Sequence, residues 1–132
     1  MFRFERLDVW QKRVEFADRV YAVTKSFPSD ERFGLTSQMR RAAVSISSNI
    51  AEGSGRSSDK DFAHFLEIAY GSLMEVVSQS QVAVRQAFLE QQSRDALHER
   101  AEELARMLSG LKSSLLRTTS TSSSRPSPPS GS

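Results

Sequence analysis

The residues most suggestive of chemistry are two Asp-x-x-His pairs, Asp61 with His64 and Asp95 with His98. Their spacing is close to that of the Glu-x-x-His motifs of di-iron four-helix proteins, in which the motifs lie at matching depth in the bundle. Here both pairs fall in the first turns of consecutive helices that are predicted to run antiparallel. They would then lie at opposite ends of the bundle, on the order of 40 Å apart. We therefore predict no metal site and interpret both histidines as polar surface residues.

A second candidate site is the stretch Gly53-Ser54-Gly55, which resembles glycine-rich loops that hold phosphate. Such loops follow a strand and read G-x-x-x-x-G-K-[ST] or G-x-G-x-x-G, whereas these glycines follow a helical pattern and lack the lysine. We predict that Gly53 supplies the left-handed residue that ends a helix. A second interpretation stays open, because the free amides at the start of the next helix, beside Arg56 and Lys60, favour an anion.

The serines do not assemble a nucleophilic site. Ser45, Ser47 and Ser48 have no histidine within reach, and a serine nucleophile needs a base at hydrogen-bonding distance. The chain also has no cysteine, which removes thiol nucleophiles, thiolate metal sites and disulfides, and fits a reducing compartment. We predict that the protein is not an enzyme and holds no metal or cofactor.

Two carboxylates, Glu52 and Glu75, lie in otherwise packed helical segments. We expect each to pair with Arg40 or Arg41, or to hydrogen-bond to Asn49. This polar network is interpreted as structural.

Length and hydropathy pattern predict a single domain. The 132 residues suffice for one core. The charged start of the chain lacks the apolar run of a signal peptide, and no stretch approaches the roughly 20 apolar residues that span a bilayer. We therefore expect a soluble, cytoplasmic protein with no membrane partner.

Charge is unevenly distributed along the chain. The net charge is +2, but residues 1–60 carry 11 Lys/Arg against 8 Asp/Glu (net +3), whereas residues 61–116 carry 5 against 8 (net −3). Arginine outnumbers lysine 14 to 4, and a guanidinium suits bidentate pairing with phosphate or carboxylate. The basic first half is interpreted either as a binding surface or as an ordinary mixed-charge surface.

Four segments repeat apolar residues at helical spacing and predict four helices. Helix 1 is expected over about 9–27, with Asp8 and Gln11 as a capping box and Pro28 beyond its end. One apolar stripe of this helix comprises Trp10, Val14, Ala17 and Tyr21. A second apolar stripe exceeds what one core needs and indicates a second packing surface; it comprises Val9, Phe16, Val20, Val23 and Phe27.

The other three helices follow after short turns. Helix 2 is predicted to start at a Thr36 cap, helix 3 to run from about Ser58 to Glu90, and helix 4 to follow Ser93. Gly71, inside helix 3, is expected where a neighbouring helix approaches closely. The inward positions are expected to be Met39, Ala42, Ala43, Ile46, Ile50 and Ala51 in helix 2, Phe62, Phe65, Leu66, Ala69, Leu73, Val76, Val77, Val84 and Phe88 in helix 3, and the heptad residues Leu97, Ala101, Leu104, Leu108, Leu111 and Leu115 in helix 4.

Short connections between long amphipathic helices favour antiparallel neighbours. The predicted fold is therefore an all-α, up-down-up-down four-helix bundle over residues 1–116. Residues 117–132, RTTSTSSSRPSPPSGS, have no apolar side chains to bury and are predicted to be a disordered tail.

The motifs LDVWQK, FPSDERFGLTSQMRRAAVSISSNIAEGSGR and DFAHFLEIAYGSLMEV together resemble a bacterial four-helix-bundle family encoded within intervening sequences of 23S ribosomal RNA genes. Relatives in that family include the accessory protein of diversity-generating retroelements. The similarity covers about residues 4–116. It implies a homopentamer, no enzymatic activity, and nucleic-acid binding, which in the retroelement branch involves a reverse transcriptase and its RNA. The family's motif residues present here are Arg40, Arg41, Asn49, Glu52, Gly53, Arg56 and Gly71, none with an assigned catalytic role.

Two functional hypotheses follow. In the first, the protein is a non-enzymatic, homopentameric nucleic-acid-binding or ribonucleoprotein adaptor protein. It would bind RNA or DNA with low sequence specificity, because the chain has no aromatic platform for unpaired bases. In the second, it is a protein–protein interaction scaffold whose charges pair between subunits, with no nucleic-acid role. The candidate phosphate contacts are Lys12, Arg13, Arg40, Arg41, Arg56 and Lys60, and the residues predicted to be structural are Trp10, Asn49, Glu52, Gly53 and Gly71.

Overall fold

The apolar periodicity produces four α-helices, which the computed structural model describes over residues 2–124 and, for side chains, over residues 2–117. The helices are α1 (Asp8–Thr24), α2 (Leu35–Ser54), α3 (Asp59–Arg85) and α4 (Gln91–Ser124). Short 3₁₀ turns precede α1 (Arg3–Arg6) and α2 (Ser29–Glu31). Residues 2–124 contain no strand. The predicted all-α class and the number of helices are confirmed.

Consecutive helices pack side by side, and α1 closes the square against α4. The register between α2 and α3 is antiparallel: Ser45 meets Ser72, whereas Gly53, further along α2, lies against Phe62 and Phe65 at the start of α3. Short connections give the other neighbouring pairs the same alternation. Within this described part, none of the helices is both long and apolar enough to cross a membrane.

All four helices contribute to one core, which the chain segments around Phe27 and Leu89 close at one end. Each large apolar side chain that folding buries contributes about 1.5–3 kcal/mol. The heptad positions predicted for α4 are confirmed as buried, except that Leu111 is half-buried. The most deeply buried side chains are Phe16, Val20, Met39, Ile46, Ile50, Phe62, Leu66, Leu73, Val76, Leu104 and Leu108.

Helix α1 buries one of the two apolar stripes that its sequence contains. Val9, Phe16 and Val20 are buried, whereas Trp10 is half-buried and Tyr21 is 40% exposed. Both stripes are apolar, so periodicity alone does not rank them. Packing places side chains without polar atoms at the centre and leaves the indole and the phenol at the edge, where their polar groups reach water. The sequence identified both stripes, and the core contains the one with Val9, Phe16 and Val20.

Two predicted helix caps are wrong and one is confirmed. Asp8 is the first residue of α1 and not its cap, and no side chain caps this helix. α2 begins at Leu35, whose amide donates to a carboxylate oxygen of Glu31 at 3.0 Å. The carboxylate thus satisfies an amide at the helix start, and Thr36 is buried within the first turn. Ser58 caps α3 as predicted.

Helix α3 ends at Arg85, earlier than the predicted end near residue 90. Ala87 adopts the left-handed conformation with φ 65°. The amide of Phe88 donates to the carbonyl of Ala83 at 2.8 Å, and that of Ala87 to the carbonyl of Val84 at 3.0 Å. This bonding pattern is a Schellman motif, with alanine where glycine is usual. The motif directs the chain so that Phe88 and Leu89 pack against the core.

Neither glycine acts as predicted. Gly53 lies inside α2, outside the left-handed region, and an added Cβ would lie 2.7 Å from Cβ of Phe65 and 3.0 Å from Cδ1 of Phe62. Its role is to let α3 approach α2, not to end the helix. Gly71 was expected at a close helix contact, but no atom lies within 4 Å of a Cβ added there. Helix α3 turns this glycine outward, away from both of its neighbours.

Helix α4 continues to Ser124, beyond the predicted boundary at residue 116. Once a helix has formed, each further residue adds a backbone hydrogen bond, and the sequence has neither glycine nor proline between Gly110 and Pro126 to stop it. Residues 125–132 of the predicted tail lie outside the described residues.

Candidate nucleic-acid interface

The histidine pairs do not form a metal site. Among the described residues, no group of three or more His, Cys, Asp or Glu side chains is placed to hold a metal ion. Each histidine instead lies 3.8 Å from a glutamate on its own helix, His64 from Glu67 and His98 from Glu102.

The six candidate phosphate contacts lie in three places and do not form one patch. Each place has its own electrostatic surroundings, so the six cations are not equivalent. Lys12 lies on the side of α1 that faces α4, Arg13, Arg40 and Arg41 lie on α1 and α2, and Arg56 and Lys60 lie at the turn between α2 and α3.

Lys12 is surrounded by carboxylates. Its Nζ lies 3.9 Å from Glu15 on the same helix and 3.8 Å from Glu103 on α4. A second ion pair joins the same two helices: Nη1 of Arg100 on α4 lies 3.6 Å from Glu15 on α1. An open groove of about 470 Å³ beside these pairs is lined by side chains of both signs. A phosphate at Lys12 would have to compete with two carboxylates already present.

Arg13 lies flat on the indole of Trp10, with its guanidinium carbon 4.2 Å from the ring centroid. Burial lowers the pKa of the Arg13 guanidinium, and the nearby charge of Asp18 partly opposes this effect. The Nε atom of Arg13 is buried and makes no hydrogen bond within the described part of the chain. Arg13 is therefore held by ring stacking, and part of its hydrogen-bonding capacity is unused.

Arg40 links α2 to α1. Its Nε donates to Oγ1 of buried Thr24 at 2.8 Å, and its guanidinium carbon lies 4.7 Å from the centroid of the Tyr21 ring. The neighbouring Arg41 is exposed and donates to Oγ of Ser37 at 3.0 Å. Neither arginine lies within ion-pair distance of a carboxylate among the described side chains.

Three cations lie at the end of the bundle where α2 leads into α3, and we name Arg3, Arg56 and Lys60 the turn cluster. Arg56 lies 4.6 Å above the ring of Phe65, and Arg3 lies 5.0 Å above the ring of Phe62. Lys60 is exposed in the first turn of α3. Sequence reasoning missed Arg3, because only the packing of the N-terminal 3₁₀ turn against α2 places it here.

Carboxylates also lie near the turn cluster. Nη2 of Arg56 is 2.9 Å from Oε2 of Glu52, with both side chains about half exposed. Asp59 and Asp61 occupy the first turn of α3, and the amide of Asp61 donates to Ser58. The anion site expected from free helix amides is thus partly used by the cap. A phosphate would bind mainly through the three side chains, in competition with Glu52.

Comparison with known proteins places this bundle in a family. The model of the family described as 23S rRNA-intervening sequence protein matches residues 5–110. The chain belongs to the 23S rRNA-intervening sequence protein family. A crystal structure of a protein of unknown function from the S23 ribosomal protein family of Bacteroides thetaiotaomicron shares its fold, with a TM-score of 0.70 and 23% sequence identity over 79% of this chain and 97% of that chain. No curated protein matches this sequence.

In this member of the 23S rRNA-intervening sequence protein family, the predicted polar network is arranged differently. Glu52 pairs with Arg56 and not with an arginine earlier in α2. Asn49 donates to the backbone oxygen of Ser45 at 2.8 Å and to its Oγ at 3.1 Å. Glu75 is exposed and has no ion pair among the described side chains. The prediction failed because the earlier arginines contact α1 or their own helix.

Proposed function

We propose that this protein is a non-enzymatic nucleic-acid-binding protein that assembles with copies of itself, as a pentamer, and contacts phosphates through the turn cluster. The observation that carries the proposal is the location of Arg3, Arg56 and Lys60 at one end of the bundle, with both arginines over rings of α3. The family description, which refers to a 23S rRNA intervening sequence, supports RNA as the nucleic acid.

Ring stacking favours phosphate binding by reducing the conformational freedom that an arginine loses on binding. A guanidinium lying on an aromatic face keeps its hydrogen-bonding edge free for a planar, bidentate contact. Phe62 and Phe65 are fixed by their contact with Gly53. The cluster is therefore held on the closely packed α2–α3 pair.

One copy alone would bind nucleic acid weakly. Each phosphate contact on a single strand contributes a salt slope of about −0.7, and few contacts give low affinity. In a pentamer, the turn cluster would be repeated five times on one particle, so that a long strand could engage several copies. Self-assembly is thus part of the binding mechanism.

Fluorescence anisotropy of a labelled RNA hairpin and of single-stranded DNA, measured at rising salt, tests the proposal. We expect affinity to fall steeply with salt, and R56Q/K60Q to weaken binding by at least about tenfold. The matched control is R100Q/K112Q, which removes one arginine and one lysine that are ion-paired with Glu15 and Glu67. The control should change affinity by no more than about twofold, because its charges are already neutralised.

Glu52 provides a test in the opposite direction. Because its carboxylate competes with phosphate for Arg56, E52Q should raise the affinity for RNA by several-fold at low salt. Binding that is independent of salt, or equal losses in R56Q/K60Q and R100Q/K112Q, would reject a nucleic-acid role and favour the interaction scaffold.

A further inference from the structure

An apolar surface lies uncovered where α1 and α2 pack together. Tyr21 and Val44 are 40% and 45% exposed, and Trp10, Val14 and Ala17 are half-buried beside them. These residues include the apolar stripe of α1 that the core leaves uncovered. An exposed apolar area of this kind on a small domain is typical of an interaction surface. We name it the α1–α2 face.

The charges on the α1–α2 face are mainly positive. Arg13 and Arg40 are stacked on Trp10 and Tyr21, and Arg41 is exposed on α2 near Val44. Glu52, the single carboxylate in the sequence of α2, pairs with Arg56 at the far end of the helix. Asp18 of α1 is the carboxylate whose charge acts on Arg13.

The exposed side of α3 has the complementary character. Ile68 and Val82 are 41% and 46% exposed, and residues 61–84 contain no lysine or arginine. Glu75 is exposed between these two apolar residues, and Glu67 lies on the adjacent edge. We name this surface, formed by Ile68, Gly71, Glu75, Ser78 and Val82, the α3 outer face.

Gly71 lies at the centre of the α3 outer face. A glycine inside a helix costs about 1 kcal/mol relative to alanine, and nothing in the described part of the chain approaches it closely enough to explain the choice. A small residue is needed where another backbone approaches. A second copy whose backbone packs at Gly71 would account for the absence of a side chain there.

We propose that the α3 outer face of one copy docks on the α1–α2 face of the next copy. This inference rests on the self-assembly included in the proposed function. The two faces have similar lengths: Trp10 to Tyr21 spans about 16 Å along α1, and Ile68 to Val82 spans about 21 Å along α3. Apolar residues meet apolar residues, and Glu75, which has no ion pair among the described side chains, meets the arginines.

Charge disfavours the symmetric alternatives. Two α1–α2 faces brought together would oppose arginine with arginine, and two α3 outer faces would oppose glutamate with glutamate. A contact between two different faces repeats from copy to copy and closes into a ring when the rotation permits. The same contact assigns Arg13, Arg40 and Arg41 to protein carboxylates and leaves the turn cluster for phosphate.

Single cysteines test the pairing directly, because the natural sequence has none. V44C places a thiol on the α1–α2 face, and I68C, S78C or V82C places one on the α3 outer face. Each variant is oxidised alone and in equimolar mixture with a variant of the other face, after subunit exchange, and disulfide-linked dimers are quantified on non-reducing gels. S109C, on the exposed side of α4, is the control.

Dimers that form only in mixtures of V44C with an α3 variant support the inference. Efficient cross-linking of V44C alone would overturn it, because that result requires a symmetric contact. Light scattering on the same samples separates the two proposals. An oligomer without mixed cross-links would overturn the pairing and leave self-assembly standing, whereas a monomer at micromolar concentration would overturn both.

Charge reversal provides a second readout that does not depend on cysteine geometry. R41E and E75R alter exposed residues, so both variants should fold. Each single variant should raise the dissociation constant of self-assembly about tenfold. The double variant R41E/E75R should recover much of the lost affinity. Equal losses in the single and double variants would contradict a contact between these two faces.

Discussion

The α2–α3 and α1–α4 pairs are both antiparallel, but they are held together by different interactions. Between α2 and α3, the absence of a side chain at Gly53 allows close approach to Phe62 and Phe65, and two serine hydroxyls bond across the pair at 2.9 Å. Between α1 and α4, long charged side chains form ion pairs at 3.6 and 3.8 Å beside an open groove. A closely packed helix pair is sensitive to any added side-chain volume, whereas exposed ion pairs contribute little to the free energy of unfolding. The turn cluster is built on the rigid pair.

The largest expected effect comes from filling the α2–α3 contact. In G53A, the new Cβ would lie 2.7 Å from Cβ of Phe65, so we expect a loss of about 1–3 kcal/mol in the free energy of unfolding. Chemical denaturation measures it. G110A is the matched control, since no atom lies within 4 Å of its new Cβ. The control should be stabilised by up to about 1 kcal/mol. Equal behaviour of both variants would show that the α2–α3 approach is not close.

A smaller loss is expected from the hydroxyl contact between the same helices. Oγ of Ser45 accepts hydrogen bonds from Ser72 and Asn49, so S45A would leave two donors without this acceptor and cost about 1–2 kcal/mol. The exposed neighbour variant S48A should leave stability within about 0.5 kcal/mol of the parent. A loss in S48A as large as that in S45A would argue against this hydrogen-bond network.

The α1–α4 pair should tolerate the loss of its charges. K12M/R100M removes the cations that contact Glu15 and Glu103, and we expect a change below about 0.5 kcal/mol per ion pair because these side chains are partly exposed. Thermal melts at low and high salt measure this effect. A loss comparable to that of G53A would show that the two helix pairs are stabilised alike.

The smallest effect concerns pH and the contact between α3 and α4. The hydrogen bond from Lys112 lowers the pKa of the exposed Glu67 carboxyl below its ordinary value of 4.5. A depressed carboxyl pKa stabilises the fold above that value, and the contribution is lost as pH falls through the folded-state pKa. Melts between pH 7 and 3 should therefore decline slightly less in E67Q than in the parent. A steeper decline in E67Q would contradict this sign.

The sequence predicted the helices better than it predicted their orientation. Leu97, Ala101, Leu104 and Leu108 are buried as the heptad pattern required, because α4 has only one continuous apolar stripe. α1 has two, and the choice of Val9, Phe16 and Val20 over the Trp10 stripe depended on how α2 and α4 packed against it. Where a helix offers two apolar sides, only the neighbouring helices determine which one is buried.

The residues of the turn cluster could likewise be predicted from the sequence only in part. Arg56 and Lys60 could be selected from the sequence because both lie beside a turn between helices. Arg3 could not, because it reaches the turn cluster only through the packing of the N-terminal 3₁₀ turn against α2. The pairing of Lys12 with Glu103 likewise depends on two helices that are distant in sequence and adjacent in space.

The amino-acid sequence by itself determined four amphipathic helices and the absence of cysteine chemistry, because the period of apolar residues and residue type are local properties of a chain. The tertiary structure decided which apolar stripe of α1 is buried, why Gly53 carries no side chain, and which cations gather at the α2–α3 turn. These features depend on the distances between helices, and such distances follow only when all side chains are packed together.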